Sequence, residues 1–142
     1  MLLLAKTFSS CGKEEKPIEI LFTEYSLTKT FCQWRNLGYN GKVSVINSNA
    51  ELEKYITCTE GTFPKIDFSK STLLLTGGVT AGGIDYLYKM LLFKGNGYVL
   101  KVEITLNDAT IGGQSWIVVL VTDKLMVKDV ELNVITIKNG KP

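Results

Sequence analysis

Two stretches rich in apolar residues, 85–94 and 98–106, lie next to each other in the middle of the chain, and apolar and polar residues alternate along residues 100–106. A period of two is typical of strands that bury one face. A Gly-Asn-Gly sequence at residues 95–97 separates the two stretches, and tight hairpin loops favour these residue types. We therefore predict that residues 85–106 form an antiparallel hairpin, around which the remaining strands are arranged.

The register of this hairpin can be predicted from the side chains that would face each other. A three-residue loop places Lys94 opposite Tyr98 and Lys89 opposite Glu103. The apolar pairs of this register are Leu92 with Leu100, Met90 with Val102, Tyr88 with Ile104, Tyr86 with Leu106 and Phe93 with Val99. Each pair contributes about 0.2–1 kcal/mol, whereas a two-residue loop at residues 96–97 would set Met90 against Glu103. We therefore predict the three-residue loop, with Gly97 in the left-handed conformation.

Short apolar stretches elsewhere in the chain predict further strands. They cover residues 18–22, 31–37, 42–47, 71–76, 116–121 and 130–137. The stretch 116–121 is apolar on both faces, which is typical of a central strand that is covered on both sides. Paired glycines on either side of residues 79–81 indicate a flexible connection or a bulge before the hairpin.

One helix is predicted between these strands, because Ser48 and Glu51 have the spacing of a capping box. Leu52, Tyr55 and Ile56 fall on one face at helical spacing. A helix that ends near residue 57 or 58 is too short to be stable alone, so this face must pack on a sheet. Together the elements predict an α+β fold, with a mostly antiparallel sheet that is strongly curved or forms a partly open barrel and one helix packed across it.

The beginning of the chain resembles the signal of a bacterial lipoprotein. Ser9 and Ser10 stand directly before Cys11, as small residues do in a lipobox, and the resemblance implies that Cys11 is acylated. The apolar run at residues 2–5 is shorter than a signal peptide needs, so we expect the true start of the signal to lie upstream. The alternative is an ordinary chain terminus with a buried or free thiol at Cys11.

A short charged segment, residues 12–16, follows this cysteine and has no apolar face, so we expect a disordered tether. Its Lys-Glu-Glu sequence at residues 13–15 resembles the surface-export signal of Bacteroidota lipoproteins, although a plain solvated linker would look the same. The lipid anchor would place the protein at the outer membrane or cell surface, since several acyl chains hold a protein firmly. The chain therefore divides into a signal remnant, lipidation site and tether at residues 1–16, and one β-rich globular domain at residues 17–142.

Composition supports a single folded domain and excludes several classes of function. Of the 142 residues, 45% are hydrophobic, and the formal net charge is only +2. This charge is too small and too dispersed to predict a nucleic-acid partner, and no apolar run is long enough for a membrane-spanning helix. If Cys11 carries lipid, Cys32 and Cys58 remain as a pair that could form a disulfide in an oxidising compartment or stay as two buried thiols.

The middle and end of the chain resemble a known family in the order of their parts. A Val-Ile-Asn-Ser strand, a Glu-Leu-Glu helix, an Ile-Asp-Phe-Ser lead-in and a Gly-Gly segment before a hairpin follow one another. This order is similar to the C-terminal domain of the B-type subunits of a protease complex and to small Bacteroidota lipoproteins, over about residues 32–137. The family usually has Thr-Gly-Gly-Tyr before the hairpin, whereas this chain has Ile84 in the tyrosine's place. The resemblance implies a non-enzymatic partner or stabiliser of a protease, with no catalytic residues to transfer.

Catalytic chemistry is mostly excluded by the residues that the sequence lacks. The chain has no histidine, which excludes Ser-His-Asp and Cys-His catalysis and histidine metal sites. No glycine-rich segment has the residues of a phosphate loop, and we expect no cofactor and no metal. Carboxylates are the remaining candidates for acid–base chemistry, and they are Asp67, Asp85, Glu103, Asp108 and Asp123. We interpret them as solvent-facing or turn residues, and predict that the protein is not an enzyme.

Two kinds of surface could carry a binding function. Tyr86, Tyr88 and Tyr98 lie on one face of the predicted hairpin, and we expect this face in the core, although an open face would be a protein-binding patch. Loops are the better candidates for a partner site, because binding residues are often carried on loops above a rigid scaffold. The loop residues that we predict are Gly78, Thr80, Gly82, Gly83, Asn107, Asp108 and Thr110. We therefore expect a lipoprotein that binds or stabilises another protein; the alternative is a module for a small ligand or glycan.

Overall fold

The computed structural model describes residues 16–35, 41–108 and 112–138. Cys11, residues 12–15 of the predicted tether and Thr110 lie outside these ranges. In chain order the elements are β1 (Ile18–Ile20), β2 (Thr23–Glu24), β3 (Cys32–Trp34), β4 (Ser44–Ile46), α1 (Asn49–Glu53), β5 (Ile56–Cys58), β6 (Ser71–Thr80), β7 (Ile84–Phe93), β8 (Tyr98–Leu106), β9 (Gln114–Asp123) and β10 (Glu131–Lys138). No helix in the described part of the chain has the length and apolar character that crossing a bilayer requires.

Eight of these strands form two four-stranded sheets. The first sheet has the order β1-β7-β8-β10, and the second sheet has the order β2-β9-β6-β4. Only β8 and β10 pair in parallel, because the chain leaves the first sheet after β8, forms β9 in the second sheet and then returns. Strands β3 and β5 form a separate antiparallel ribbon. The predicted α+β fold with mostly antiparallel sheet is confirmed, and the sheets are not closed into a barrel.

The hydrophobic core has two layers, one on each face of the second sheet. The layer between the two sheets includes Leu74 and Leu120 of the second sheet with Leu100 and Val102 of the first, all fully buried. The other layer lies under α1, the ribbon and the connecting segments, and includes Leu52 and Leu73. Strand β9 contributes to both layers, since Trp116, Val118 and Leu120 pack in the first and Ile117, Val119 and Val121 in the second. The predicted central strand, covered on both sides, is therefore confirmed.

The hairpin at residues 85–106 is confirmed, but the predicted register is wrong by one residue. Phe93 lies opposite Tyr98 rather than Val99, and Leu92 opposite Val99 rather than Leu100. The other corrected pairs are Met90 with Lys101, Lys89 with Val102, Tyr88 with Glu103 and Tyr86 with Thr105. The loop has two residues, because Gly95 has a φ of +86° and the Lys94 N–H donates to the Gly97 carbonyl at 2.8 Å. A positive φ at the first loop position is typical of a type II′ turn, so Gly95 has the role that we predicted for Gly97.

This register changes which face of β7 is buried. Leu87 and Leu91 point into the core between the sheets, whereas Tyr86 and Tyr88 are 61% and 39% exposed. The prediction that these two tyrosines lie in the core is therefore wrong, although Tyr98 does pack against it. The physical reason is that leucine can be buried without a hydrogen-bond partner, whereas a buried tyrosine hydroxyl needs one.

The helix is shorter than predicted. The Ser48 hydroxyl accepts from the Glu51 N–H at 3.1 Å, as the capping box requires, while the Glu51 carboxylate accepts from the Asn47 N–H at 2.9 Å. However, α1 ends at Glu53, and residues 56–58, which we predicted at the helix end, form strand β5. Isoleucine and threonine at residues 56 and 57 favour a strand, and β5 is held to β3 by pairing and by a disulfide. Leu52 still packs on the second sheet, as the predicted apolar face requires.

The disulfide joins Cys32 and Cys58, which face each other across the ribbon. Of the two alternatives that the sequence leaves open, the structure therefore has the bridged one. The bridge fixes the ribbon over the second sheet, because Cys32 is buried in the same layer as Leu52 and Leu73.

Candidate binding groove between the sheet edges

A groove opens on the side of the molecule where β10 ends the first sheet and β6 lies near the end of the second. We call it the edge groove. Its volume is about 490 Å³. Its lining residues are Gly41, Gly77, Gly78, Val79, Thr80, Ala81, Ile104, Leu106, Trp116, Leu132, Val134 and Thr136. None of them carries an ionisable side chain, so the groove suits an apolar occupant.

One wall of the edge groove is formed by the inward side chains of β10. Leu132 and Val134 lie opposite Leu100 and Val102 of β8, which are fully buried. By contrast, Leu132 is half-buried and Val134 is 40% exposed. The difference arises because the second sheet covers β8 but not the whole of β10. The last strand of the first sheet therefore presents apolar side chains that the fold itself does not bury.

The opposite wall is formed by the second half of β6. Strand β6 pairs with β9 along all of its ten residues, but with β4 only at residues 73–75. Residues 77–80 therefore have no strand on this side within the described ranges. Val79 is 63% exposed as a result. The apolar side chains of β10 and of the second half of β6 are thus uncovered on the same side of the molecule. The edge groove lies between them.

The floor of the edge groove is set by Gly78 and Trp116, which are cross-strand partners. A Cβ atom at Gly78 would lie 2.9 Å from Cζ2 and Nε1 of the indole, which is closer than real contacts allow. The glycine therefore lets the ring of Trp116 lie against the backbone of β6. Trp116 is only 8% exposed, so it closes the bottom of the groove without filling it.

Two of the residues that we predicted on a partner-binding loop lie instead in a strand. Gly78 and Thr80 belong to β6, which extends to residue 80, so the connection to β7 is only residues 81–83. Residues 77 and 78 therefore form neither of the predicted alternatives, a flexible connection or a bulge; the register irregularity in this region lies between Ile84 and Tyr86. The reason is that β9 pairs with β6 through Gly77 and Gly78, and a glycine with a paired backbone remains in the strand. Both residues nevertheless line the edge groove.

The remaining predicted loop residues within the described ranges lie together at one end of the two packed sheets, which we call the sandwich. The Thr80 hydroxyl donates to the Gly82 carbonyl at 2.6 Å, and the Asn107 N–H donates to the Gly83 carbonyl at 3.0 Å. The Asn107 side-chain amide donates to Asp85 Oδ1 at 2.7 Å. These contacts hold the turn between β6 and β7 against the end of β8. Asp108 directly follows Asn107 at this end of the molecule.

The exposed outer face of the first sheet is a second candidate surface. Tyr86 and Tyr88 lie on it, and the cross-strand neighbours of Tyr88 are Glu103 and then Ile135. Glu103 is paired with Lys101 at 3.3 Å on the same face. The face therefore mixes aromatic, aliphatic and charged side chains, and it is less uniformly apolar than the edge groove.

A second cavity, about 480 Å³ in volume, lies between α1 and the ribbon. Arg35, Asn49, Glu53 and Lys65 give it a polar lining. Several of these groups already bond within the protein, since the Arg35 Nε donates to the Ile56 carbonyl and the Asn49 side chain bonds with the backbone of Ile66. Its aromatic lining residue, Phe63, is buried. This cavity therefore lacks the exposed ring that stacks on a sugar.

Three of the five candidate carboxylates, Asp67, Asp85 and Glu103, are each bonded to a different neighbour. Asp67 accepts hydrogen bonds from the Ser69 hydroxyl at 2.6 Å and the Ser69 N–H at 3.1 Å, and these lower the pKa of the Asp67 carboxyl. Asp85 is bonded to Asn107 and Glu103 to Lys101. In the described ranges no group of three or more Asp, Glu or Cys side chains is placed to hold a metal ion.

Sequence reasoning missed the β10 residues of the edge groove, Leu132, Val134 and Thr136. The apolar stretch at residues 130–137 predicted the strand correctly. It did not reveal that β10 ends the sheet, because strand order depends on pairing between distant parts of the chain. The polar residues Asn133 and Thr136 could have indicated an edge strand, because polar residues are unusual in a strand that is buried on both faces.

Comparison of the chain with protein-family models, with curated proteins and with solved structures gives no match. The resemblance to the B-type subunits of a protease complex and to bacterial lipoproteins therefore stays a prediction.

Proposed function

We propose that this chain is a non-enzymatic lipoprotein of the bacterial cell envelope whose β-rich domain binds another protein. The observation that supports binding is the edge groove, because it exposes a continuous apolar surface between two incomplete sheets. Apolar surface that a fold leaves uncovered is typical of interaction sites. Protein binding also agrees with the resemblance to a family whose members assist a protease.

The proposed location depends on Cys11 and on the resemblance to a lipobox around it. Acylation at Cys11 would leave the folded domain attached to the outer membrane through the charged segment at residues 12–16. Metabolic labelling of the full-length gene product with a fatty-acid probe tests this step. We expect label in the natural protein and none in Cys11→Ser, and label absent from both would contradict the location.

A small-ligand or glycan-binding function has less support. Sugar sites combine exposed aromatic rings with polar groups. In the edge groove Trp116 is almost fully buried and no lining side chain is ionisable. The exposed tyrosines, Tyr86 and Tyr88, lie on the outer face of the first sheet, outside the lining of either cavity described above. A third cavity, about 490 Å³ in volume, is lined by Tyr25 and Trp34 beside polar side chains, and it is the observation that keeps glycan binding as the second candidate.

Site-specific photo-crosslinking in native membranes tests the binding function. A photoreactive residue is placed at position 134 in the edge groove, at position 88 on the outer face, or at exposed position 60 as a control. We expect a discrete adduct at one of the first two positions and none at the control. The adduct's protein is then purified and its binding to the isolated chain measured by calorimetry. Absence of adducts at all positions, or an adduct whose protein does not bind, would overturn the proposal.

A further inference from the structure

Strand β10 is the longest of the strands that end the two four-stranded sheets. It has eight residues, and no strand within the described ranges pairs with its outer side. The other edge strands, β1, β2 and β4, have only two or three residues. In an edge strand alternate N–H and C=O groups point away from the neighbouring strand and can pair with another chain. Strand β10 therefore offers a backbone template along its whole length. Within the described part of the chain, residues 84–90 of β7 also have no partner strand on the β1 side, but none of them lines the edge groove.

The edge groove lies directly beside this template. A strand added to β10 would lie about 4.8 Å from it, and every second side chain would point toward the second sheet. Those side chains would lie beside Leu132, Val134 and Thr136, which point inward. They would enter the edge groove, which Val79 lines on the opposite wall. A free backbone edge can bind an extended chain, and an apolar groove beside it can bind apolar side chains. The occupant that fits both is an extended chain in which every second residue is apolar.

We infer that β10 binds an extended segment of the partner protein as an added antiparallel strand, whose alternate apolar side chains fill the edge groove. This inference rests on the proposed function and specifies the kind of partner. We assign the antiparallel direction because antiparallel pairs are about two to three times as common as parallel ones.

Charges at the two ends of β10 specify the segment further. Glu131 and Lys138 are both exposed, and the strand between them carries no other charge. Since Leu132 and Val134 point inward, Glu131 points outward and Lys138 inward. An antiparallel segment would therefore place an acidic residue opposite Lys138 at its beginning and a basic residue opposite Glu131 at its end. Between them, apolar residues would occupy the inward positions.

A second copy of β10 fits these requirements poorly. When two copies of an edge strand pair antiparallel in one continuous sheet, inward residues face inward residues. Glu131 of one copy would then never face Lys138 of the other, because the two residues lie on opposite faces of the strand. The charges at both ends would remain unmatched, so a different sequence is the better occupant.

The test uses a synthetic eight-residue probe, Asp-Thr-Val-Thr-Val-Thr-Leu-Lys, whose apolar residues occupy the inward positions. Binding to the full chain is followed by fluorescence in a Trp34→Phe background, where Trp116 is the remaining tryptophan. We expect saturable binding that changes the Trp116 emission. The same peptide with its terminal aspartate and lysine exchanged is expected to bind more weakly.

Backbone methylation separates strand addition from simple apolar adsorption. In one peptide the amides of residues 2, 4 and 6 are N-methylated, and in another those of residues 3, 5 and 7. In an antiparallel pair only alternate residues hydrogen-bond to a given neighbour. We therefore expect one of the two peptides to lose binding and the other to retain it. Equal binding of the two peptides, as adsorption through apolar side chains alone would give, overturns the inference.

Two protein variants locate the site. Val134→Lys puts a charge on the inward row, and such inward charges are what natural edge strands use to prevent pairing. We expect it to weaken probe binding by at least about tenfold. Asn133→Lys adds the same charge to the outward face of the same strand and is expected to leave the affinity within about twofold. Thermal unfolding of both variants checks that they remain folded.

The outcomes distinguish this inference from the function on which it rests. If the probe fails to bind while crosslinks form at position 88, the protein has a partner, but β10 does not bind it. If the full chain self-associates and Val134→Lys abolishes the association, the occupant is a second copy and the inference is wrong. If neither probe nor crosslink is found, both this inference and the proposed function fail.

Discussion

The two sides of the sandwich differ in how the sheets are joined. On one side β1 and β2 are adjacent in sequence, so the chain passes from the first sheet to the second within two residues. The Thr122 hydroxyl donates to the Leu21 carbonyl at 3.1 Å, and Lys89 pairs with Glu24 at 3.0 Å, which ties β7 to β2. On the other side the first sheet ends at β10 and the second at the short strand β4, so within the described ranges the second half of β6 has no neighbouring strand there. Strands β10 and β6 are distant in sequence, and the edge groove separates them.

This difference suggests that connectivity determines which side of the sandwich closes. A short link forces the two edges together, and polar contacts then form across the gap. Where no link exists, the edges stay apart and their apolar residues remain partly exposed. Four experiments test this interpretation.

The largest expected effect comes from truncating a leucine in the closed part of the core. Leu100 and Leu132 are cross-strand partners on the same face, but Leu100 is fully buried and Leu132 lies in the groove wall. We expect Leu100→Ala to lower the free energy of unfolding by about 2–5 kcal/mol. Leu132→Ala should lower it by about 1 kcal/mol, since less apolar surface is lost from the core. Urea unfolding measures both, and equal losses would show that the open side is as well packed as the closed one.

The next largest expected effect on stability comes from the disulfide, which holds the ribbon of β3 and β5 over the second sheet. Cys32 and Cys58 are separated by 26 residues in sequence, so their bridge restricts the unfolded chain. We expect the Cys32→Ala/Cys58→Ala variant to lose about 3 kcal/mol of unfolding free energy. The natural protein under reducing conditions should lose a similar amount, whereas the variant should be insensitive to reductant. A variant that is as stable as the oxidised protein would show that packing alone holds the ribbon.

A smaller effect is expected from a methyl group on the floor of the edge groove. Gly78→Ala forces the Trp116 ring to move, because the new Cβ would lie 2.9 Å from it. We expect a loss of about 1–3 kcal/mol together with a changed Trp116 emission. Gly97→Ala is the matched control, since no atom lies within 4 Å of its Cβ position and its φ is not in the left-handed region. Equal effects of the two substitutions would contradict the close contact between Gly78 and Trp116.

The smallest expected effect is on the pH dependence of stability. It involves Tyr25, which packs against the core layer under α1 and the ribbon. Burial raises the pKa of Tyr25 to about 12, and its hydroxyl donates to the Pro64 carbonyl at 2.6 Å. The fold therefore favours the neutral phenol, so this contribution is complete below the pKa of about 10 in the unfolded chain. It is lost as the pH rises from about 10 to 12. We expect Tyr25→Phe to flatten this part of the stability profile measured by thermal unfolding. An unchanged slope would show that Tyr25 does not titrate with folding.

The sequence predicts the elements of this fold better than their arrangement. Apolar stretches located β7 to β10, and residues 116–121 correctly indicated a strand covered on both faces. Patterns of this kind are local, because each depends on neighbours within one strand. The hairpin register was wrong because the choice between Tyr88 and Leu87 as the inward residue depends on the second sheet, which the hairpin sequence does not describe.

The candidate site could be predicted only in part for the same reason. Gly78 and Thr80 were predicted as binding residues and do line the edge groove, but as strand residues rather than loop residues. Leu132 and Val134 were missed, since only the strand order shows that β10 lies at an edge. Parallel pairing of β10 with β8 brings together residues about thirty positions apart, and no local pattern encodes such a contact.

The position of β9 also has a consequence for how the protein opens. This strand is buried on both faces and lies between β2 and β6. Those of its backbone amides that bond to β6 can therefore reach water only when both core layers separate, so their hydrogen exchange should require global unfolding. The amides of β10 need only a local departure from β8. Hydrogen exchange measured residue by residue should therefore be slow in β9 and fast in β10.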